Sequence, residues 1–269
     1  MPRYRLLLEY DGGPFQGWQR QGALPTIQGA IETAVLACGG EAVTVFAAGR
    51  TDAGVHALGQ VAHLDLARPW QPERLAGALN FHLRPHPIAV LEAREVAADF
   101  HARFSCTGRR YLYRILARRS PPALQRGRVW HVPVRLDAER MHVAAQALVG
   151  RHDFTSFRSS ECQSASPVKT LGGIHVARDG ELILCRLWAR SFLHHQVRNI
   201  VGTLKTVGEG KAPIGHVWDV LAAHDRGAAG QTAPAEGLFL ARAEFADRER
   251  HCHKFRGQVT GAFSTGSTS

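Results

Sequence analysis

The chain has 269 residues, enough for one large domain or two of ordinary size. Hydrophobic residues make up 45% and charged residues 21%, which excludes wholesale disorder, and no uninterrupted apolar run reaches the length of a membrane span. The 33 Lys plus Arg against 23 Asp plus Glu leave a net charge of +10, carried mostly by arginine, and this favours a polyanionic partner because each neutralised phosphate releases counterions.

Arg3 to Tyr10 reads as a buried strand entering a glycine-rich loop, Asp11 to Arg20. Thr26 is placed to cap a helix with the apolar face Ile27, Ala30, Ile31, Ala34 and Val35, closed by Gly39-Gly40. Ala42 to Ala47 is a second expected strand, residues 48 to 56 a sharp loop, and Gln60 to Leu66 a third strand. Pro72-Glu73 starts a helix reaching about His82, and Ile88 to Val96 is again strand-like.

A second unit begins near Ser105, with period-two alternation over Arg109 to Ile115 and a basic loop from Ala117 to Trp130. Asp137 caps a helix expected through Val149, and Leu171 to Val176 with Leu182 to Trp188 forms a hairpin across Arg178-Asp179-Gly180. Helices follow over Phe192 to Val207 and Pro213 to Ala223, then a last strand over Gly237 to Phe245. The order predicts an α+β protein of two similar subdomains, residues 1–104 and 105–246, enclosing a cleft. Residues 247–269 lose periodicity and end in Gly, Ser and Thr, as a disordered tail does.

Five cysteines, widely spaced and without a CxxC, fit neither a disulfide framework nor a zinc knuckle, and no apolar signal segment follows Met1. The expected compartment is the cytoplasm.

Gly49-Arg50-Thr51-Asp52-Ala53-Gly54-Val55-His56-Ala57 holds a guanidinium, a hydroxyl and a carboxylate between two glycines, with an imidazole just beyond the second, and the glycines allow a tight turn and close approach of a ligand. A neighbouring arginine favours the ionised carboxylate that a nucleophile or general base needs. The same composition also suits an ordinary turn whose Asp and Thr bond the backbone.

That loop resembles the signature of the tRNA pseudouridine synthase A family. So do Glu9-Tyr10-Asp11-Gly12 with Gly17-Trp18-Gln19-Arg20-Gln21, Asp99 to Ser105, Arg109-Arg110-Tyr111-Leu112-Tyr113, Asp153-Phe154-Thr155-Ser156-Phe157, Phe192 to Gly202 and Ala235-Glu236-Gly237-Leu238. In order and spacing these span roughly residues 4 to 246.

The resemblance implies the pseudouridine synthase fold, a mixed and largely antiparallel sheet with a basic central cleft. It implies isomerisation of uridine at positions 38 to 40 of the tRNA anticodon stem-loop, with no cofactor and no metal, by a homodimer. Asp52 would be the catalytic carboxylate, with attack on the ribose, attack on the base and abstraction of a sugar proton all open. Arg50 would hold the target nucleotide out of the helix, Arg198 would pair with Asp52, Tyr111 would stack on the base and Leu238 would pack on its far side. Without the motifs, Tyr111 is an ordinary strand tyrosine, Arg198 a surface arginine and Leu238 plain core.

Trp18, Arg20, Arg103, Arg109 and Arg110 are candidates for a wider RNA surface, with Arg118, Arg119, Arg126 and Arg128 in the basic loop. A non-catalytic RNA-binding protein of the same fold is the alternative function. Two metal clusters are disfavoured: on a helix His194 and His195 would point about 100° apart, and His251-Cys252-His253 lacks a fourth ligand.

Overall fold

The structure is a computed structural model describing residues 1–246, so the expected tail and the His251-Cys252-His253 cluster lie outside the described residues. In chain order the elements are β1 (Arg3–Tyr10), α1 (Ile27–Gly39), β2 (Phe46–Ala47), β3 (His56–Asp65), α2 (Pro72–His82), β4 (Ile88–Val96), β5 (Cys106–Ala117), β6 (Trp130–Val132), α3 (Ala138–Ala145), β7 (Gly150–Asp153), β8 (Val168–Asp179), β9 (Leu182–Ala189), α4 (Gln196–Gly208), α5 (His216–Ala223) and β10 (Leu238–Phe245).

The strands form one sheet in the order β4-β1-β3-β10-β5-β9-β8-β7, with β2 on β3 and β6 on β5. Pairing is antiparallel except for β3 with β10 and β5 with β6. The boundary expected between residues 104 and 105 falls in the loop from β4 to β5. The sheet runs unbroken past it because β10 inserts between β3 of the first half and β5 of the second.

Strand alternation decides which face carries the helices. Tyr4, Leu6, Leu8 and Tyr10 of β1 point inward and are covered by Ile27, Ile31 and Val35 of α1 and by Leu75 and Leu79 of α2. Tyr113, Ile115, Ile174, Val176, Cys185 and Leu187 form the second half's floor beneath α3, α4 and α5. The cross-strand row Tyr10, Ala57, Leu240, Tyr111, Leu187, Ile174 joins the two floors, so both helical layers lie on one face of the sheet. Tyr111 touches both cores and marks the seam between them.

The capping chemistry is local. The Thr26 hydroxyl accepts the Gly29 N–H, and Gly40 ends α1 in the left-handed conformation at φ 66°. Asp137 caps α3 through the Arg140 N–H.

Several bounds differ from expectation. Only Phe46–Ala47 of the stretch from Ala42 pairs as a strand. The helix from Asp137 stops as an α-helix at Ala145 and tightens to a 3-10 turn over Gln146–Leu148. The expected helix over Phe192 to Val207 starts only at Gln196, because the Ser159 N–H is held by the His194 carbonyl and His195 turns to φ 61°. Pro213 likewise precedes a helix that starts at His216.

Candidate active site

Asp52 sits on a loop that the N-terminal glycine-rich segment cradles. The Trp18 N–H donates to the Thr51 carbonyl at 2.9 Å, the Gly54 N–H to the Phe15 carbonyl at 3.3 Å, and the Gln60 side-chain amide to the Gly49 carbonyl at 2.7 Å. Approach is close enough that a Cβ on Gly12 would lie 2.1 Å from the Val55 carbonyl oxygen. Gly54 closes the turn at φ 76°, where a side chain would be strained.

His56 clips this arrangement to the last strand. Its Nδ1 accepts the Gly12 N–H at 3.0 Å, and its Nε2 donates to the Glu236 carbonyl at 3.1 Å, the pattern of a neutral ring. Burial holds its pKa below the ordinary imidazole value, against the pull of Asp11. The ring stacks on Phe239 of β10.

The Asp52 carboxylate faces the first turn of α4. Arg198 Nη1 lies 3.6 Å from Oδ2, and the Arg198 Nε–H donates to the Ala233 carbonyl at 2.7 Å, which fixes the side chain. The positive end of the helix dipole also favours a carboxylate here. His195 Nε2 lies 3.4 Å from Oδ2 and His194 Nε2 3.4 Å from Oδ1. Burial holds His195 below the ordinary imidazole pKa although Asp52 pulls it up.

This corrects the sequence argument about the two histidines. They precede α4 rather than lie on it, and the left-handed turn at His195 brings both rings to one carboxylate, 3.9 Å apart. Asp52, His194 and His195 thereby place three metal-ligand atoms within 4.8 Å of one another. No local signal short of that turn could have shown it.

Arg50, Thr51, Asp52, Val55, Tyr111, Leu193, His195, Arg198 and Leu238 line a single open cleft. Five residues expected together from distant segments are thus neighbours: Asp52, Arg50, Tyr111, Arg198 and Leu238. Arg50 is exposed at the rim, and among the described residues the guanidinium at ion-pair distance from Asp52 is that of Arg198. The Tyr111 ring is met edge-on by Phe192 at 5.1 Å, and burial pushes its phenol pKa up, so the hydroxyl stays protonated. Tyr113 is fully buried with its hydroxyl donating to the Pro234 carbonyl at 2.7 Å, which makes it scaffold.

The wider basic set divides. Arg20 and Arg103 are exposed, and Arg20 reaches Glu32 at 3.2 Å. Trp18 is corrected: it is 2% exposed and packs beside Tyr10 in the first core, because its N–H and carbonyl anchor the Asp52 loop and α1. Arg109 is also inward, donating through Nε to the Ala48 carbonyl at 3.1 Å and bonding the Arg190 carbonyl, so it ties β5 to the loop's start. Arg110 alternates with Tyr111 onto the opposite sheet face, where it pairs with Glu244 at 2.6 Å and lies over the Trp188 ring, away from the cleft.

Much of the remaining motif is scaffold as well. Asn199, next to Arg198, is buried, holding the Phe157 carbonyl at 2.9 Å and accepting from Thr232 and Arg226. Phe154 and Phe157 are core, and the Ser156 hydroxyl accepts the Asp225 N–H.

The sequence model of the tRNA pseudouridine synthase family matches residues 7–105 and 144–246. A tRNA pseudouridine synthase A of Rhodospirillum centenum is 62% identical over 243 residues, covering 90% of this chain and 99% of that one. Proteins of the same name from Azorhizobium caulinodans and from Rhodopseudomonas palustris strain HaA2 are each 56% identical, over 92% and 91% of this chain and 96% and 100% of theirs.

Proposed function

The chain belongs to the tRNA pseudouridine synthase family, and on that premise we propose that Asp52 is the carboxylate with which it isomerises uridine in tRNA. The enzyme is an isomerase: the N1–C1′ glycosidic bond breaks, a C5–C1′ bond forms, the proton leaves C5 and N1 regains one, so no oxidant or co-reactant is consumed. The observation that carries the assignment of Asp52 is the convergence of its carboxylate, the Arg198 guanidinium and the Tyr111 ring, from three distant segments, on one cleft.

A base within a stem cannot be turned over, so it must first be extruded at a cost of about a few kcal/mol. Tyr111 offers an aromatic face that returns about 1–3 kcal/mol per stacked base. Val55 and Leu238 supply apolar walls, and Arg50 at the rim is placed to hold the nucleotide's phosphate or fill the gap it leaves. Arg198 supplies a fixed guanidinium counterion 3.6 Å from the Asp52 carboxylate.

The substrate region in this reading is the anticodon stem-loop at positions 38 to 40, bound by a cytoplasmic homodimer. Residues 1–104 and 105–246 act as two halves holding the RNA over the seam. Arg20 and Arg103, both exposed, extend the phosphate contacts.

The test is mass-spectrometric mapping of pseudouridine in bulk tRNA treated with the wild type and with Asp52→Asn. The variant should fold and bind tRNA yet make no pseudouridine. Near-normal turnover by it would remove Asp52 from the chemistry, and product outside positions 38 to 40 would overturn the assigned region.

A further inference from the structure

We propose that Asp52, His194 and His195 form a site for a borderline-soft divalent transition ion of the Zn²⁺ class, and that its occupancy reversibly shuts the cleft. The binding claim stands on geometry alone; the inhibition rests on Asp52 being the catalytic carboxylate.

Ligand spacing is the main argument. Zinc holds nitrogen and oxygen ligands at about 2.0–2.2 Å, so two vertices of its tetrahedron lie about 3.4 Å apart. The two imidazole Nε2 atoms each lie 3.4 Å from a carboxylate oxygen of Asp52, and all three ligand atoms fall within 4.8 Å. These contacts are too long for good hydrogen bonds, so no strong bond need be broken for an ion to enter.

Backbone structure fixes the two rings together. His195 is held at φ 61° at the head of α4, the Asn199 N–H bonds its carbonyl at 2.9 Å, and the His194 carbonyl receives the Ser159 N–H at 3.0 Å. Access is available as well: the side chains of Asp52, His194 and His195 are 30%, 33% and 25% exposed. Three protein ligands with a fourth vertex open to the cleft is an arrangement that leaves room for water or a phosphate oxygen.

Arg198 sets the strength. Its Nη1 lies 3.6 Å from Oδ2 of Asp52, the oxygen that His195 also faces, and its charge repels a dication. The site is therefore weaker than a structural zinc centre and releases its ion. Hard Mg²⁺ prefers oxygen ligands and discriminates against two imidazoles. An ion bound to the Asp52 carboxylate removes that group from the reaction and occupies the floor where a uracil must sit.

Co²⁺ serves as the probe, because four-coordinate Co²⁺ absorbs strongly in the visible. The full chain titrated with Co²⁺ should develop these bands and lose them on adding Zn²⁺. His194→Gln, His195→Gln and Asp52→Asn should each weaken binding by at least about tenfold, which is about 1.4 kcal/mol. A control carrying His251→Gln, Cys252→Ser and His253→Gln should keep the bands. Their absence from the wild type at millimolar Co²⁺, or their survival in the His194 and His195 variants, overturns the site. In parallel, Zn²⁺ should inhibit the wild type over the range that displaces Co²⁺, a chelator should restore turnover, and equal Mg²⁺ should not inhibit. Metal binding with undiminished turnover would instead sink the inhibition together with the role of Asp52, whereas loss of binding alone leaves that role intact.

Discussion

The Tyr10 hydroxyl lies 2.8 Å from the Thr51 hydroxyl, so the last residue of β1 holds the residue immediately before Asp52. Both are buried, and burial lifts the Tyr10 phenol to about 12, so the contact persists at any working pH. Tyr10→Phe would leave the Thr51 hydroxyl without this partner, at a cost of about 1–3 kcal/mol. The expected result is a lower urea midpoint and a fall in kcat with little change in KM, since Asp52 loses its backing but the rim is untouched.

Two glycines separate close approach from simple permissiveness. Gly12→Ala drives a methyl to 2.1 Å from the Val55 backbone oxygen, which cannot move without the Asp52 loop, and should cost at least about 1–3 kcal/mol and most of the activity. Gly39 at the end of α1 has nothing within 4 Å of a Cβ. Gly39→Ala should stabilise by up to about 1 kcal/mol and leave turnover unchanged. Thermal melts and a single-turnover assay distinguish the pair.

Tyr111 can be divided into ring and hydroxyl. Tyr111→Ala removes the stacking surface and should lower kcat/KM by about 5- to 150-fold, the equivalent of about 1–3 kcal/mol. Tyr111→Phe keeps the ring against Phe192, so tRNA affinity should hold while product formation falls if the protonated hydroxyl moves a proton. Equal product from the Phe variant would reduce Tyr111 to a platform.

His63 gives the fold an acid limit. It is 1% exposed, its Nδ1 accepts the Ala102 N–H at 3.2 Å, and burial, aided by the nearby His101 and Arg3, lowers it to about 4. The unfolded chain binds this proton below about 6.5 and the folded one only near 4, so stability is full above about 6.5 and is lost as pH falls toward 4. The loss is up to about 3 kcal/mol, taking about 1.4 per unit. Urea midpoints at pH 7.5 and 5 should differ less in His63→Gln than in the wild type, with a remainder because burial also lowers His56, His101 and His175.

Where apolar period and cap chemistry agree, the fold was legible before any coordinates: β1, α2 and β4 begin and end where the pattern changes, and Thr26 caps α1. Elements held by pairing alone were not. β7 is Gly-Arg-His-Asp, with no apolar rhythm, and forms because Leu171, Thr170, Lys169 and Val168 lie opposite it. The cleft residues followed from motif resemblance, but motifs do not separate contact from support. Trp18 lies in the segment that cradles the Asp52 loop and Arg109 and Arg110 precede Tyr111, yet they point into the core, into backbone carbonyls or to the far face of the sheet. The two histidines beside Asp52 depended on one backbone angle, which no periodicity encodes.

The central place of β10 also bears on synthesis. The partner that closes both β3 and β5 leaves the ribosome last among the described strands, and Leu238, a wall of the cleft, arrives with it. Until then a nascent chain carries two unmatched edges at the middle of its sheet, a state open to aggregation and dependent on distant, slow pairing. A nascent chain that has not yet released β10 cannot close the cleft over RNA, because both β3 and β5 still lack their partner.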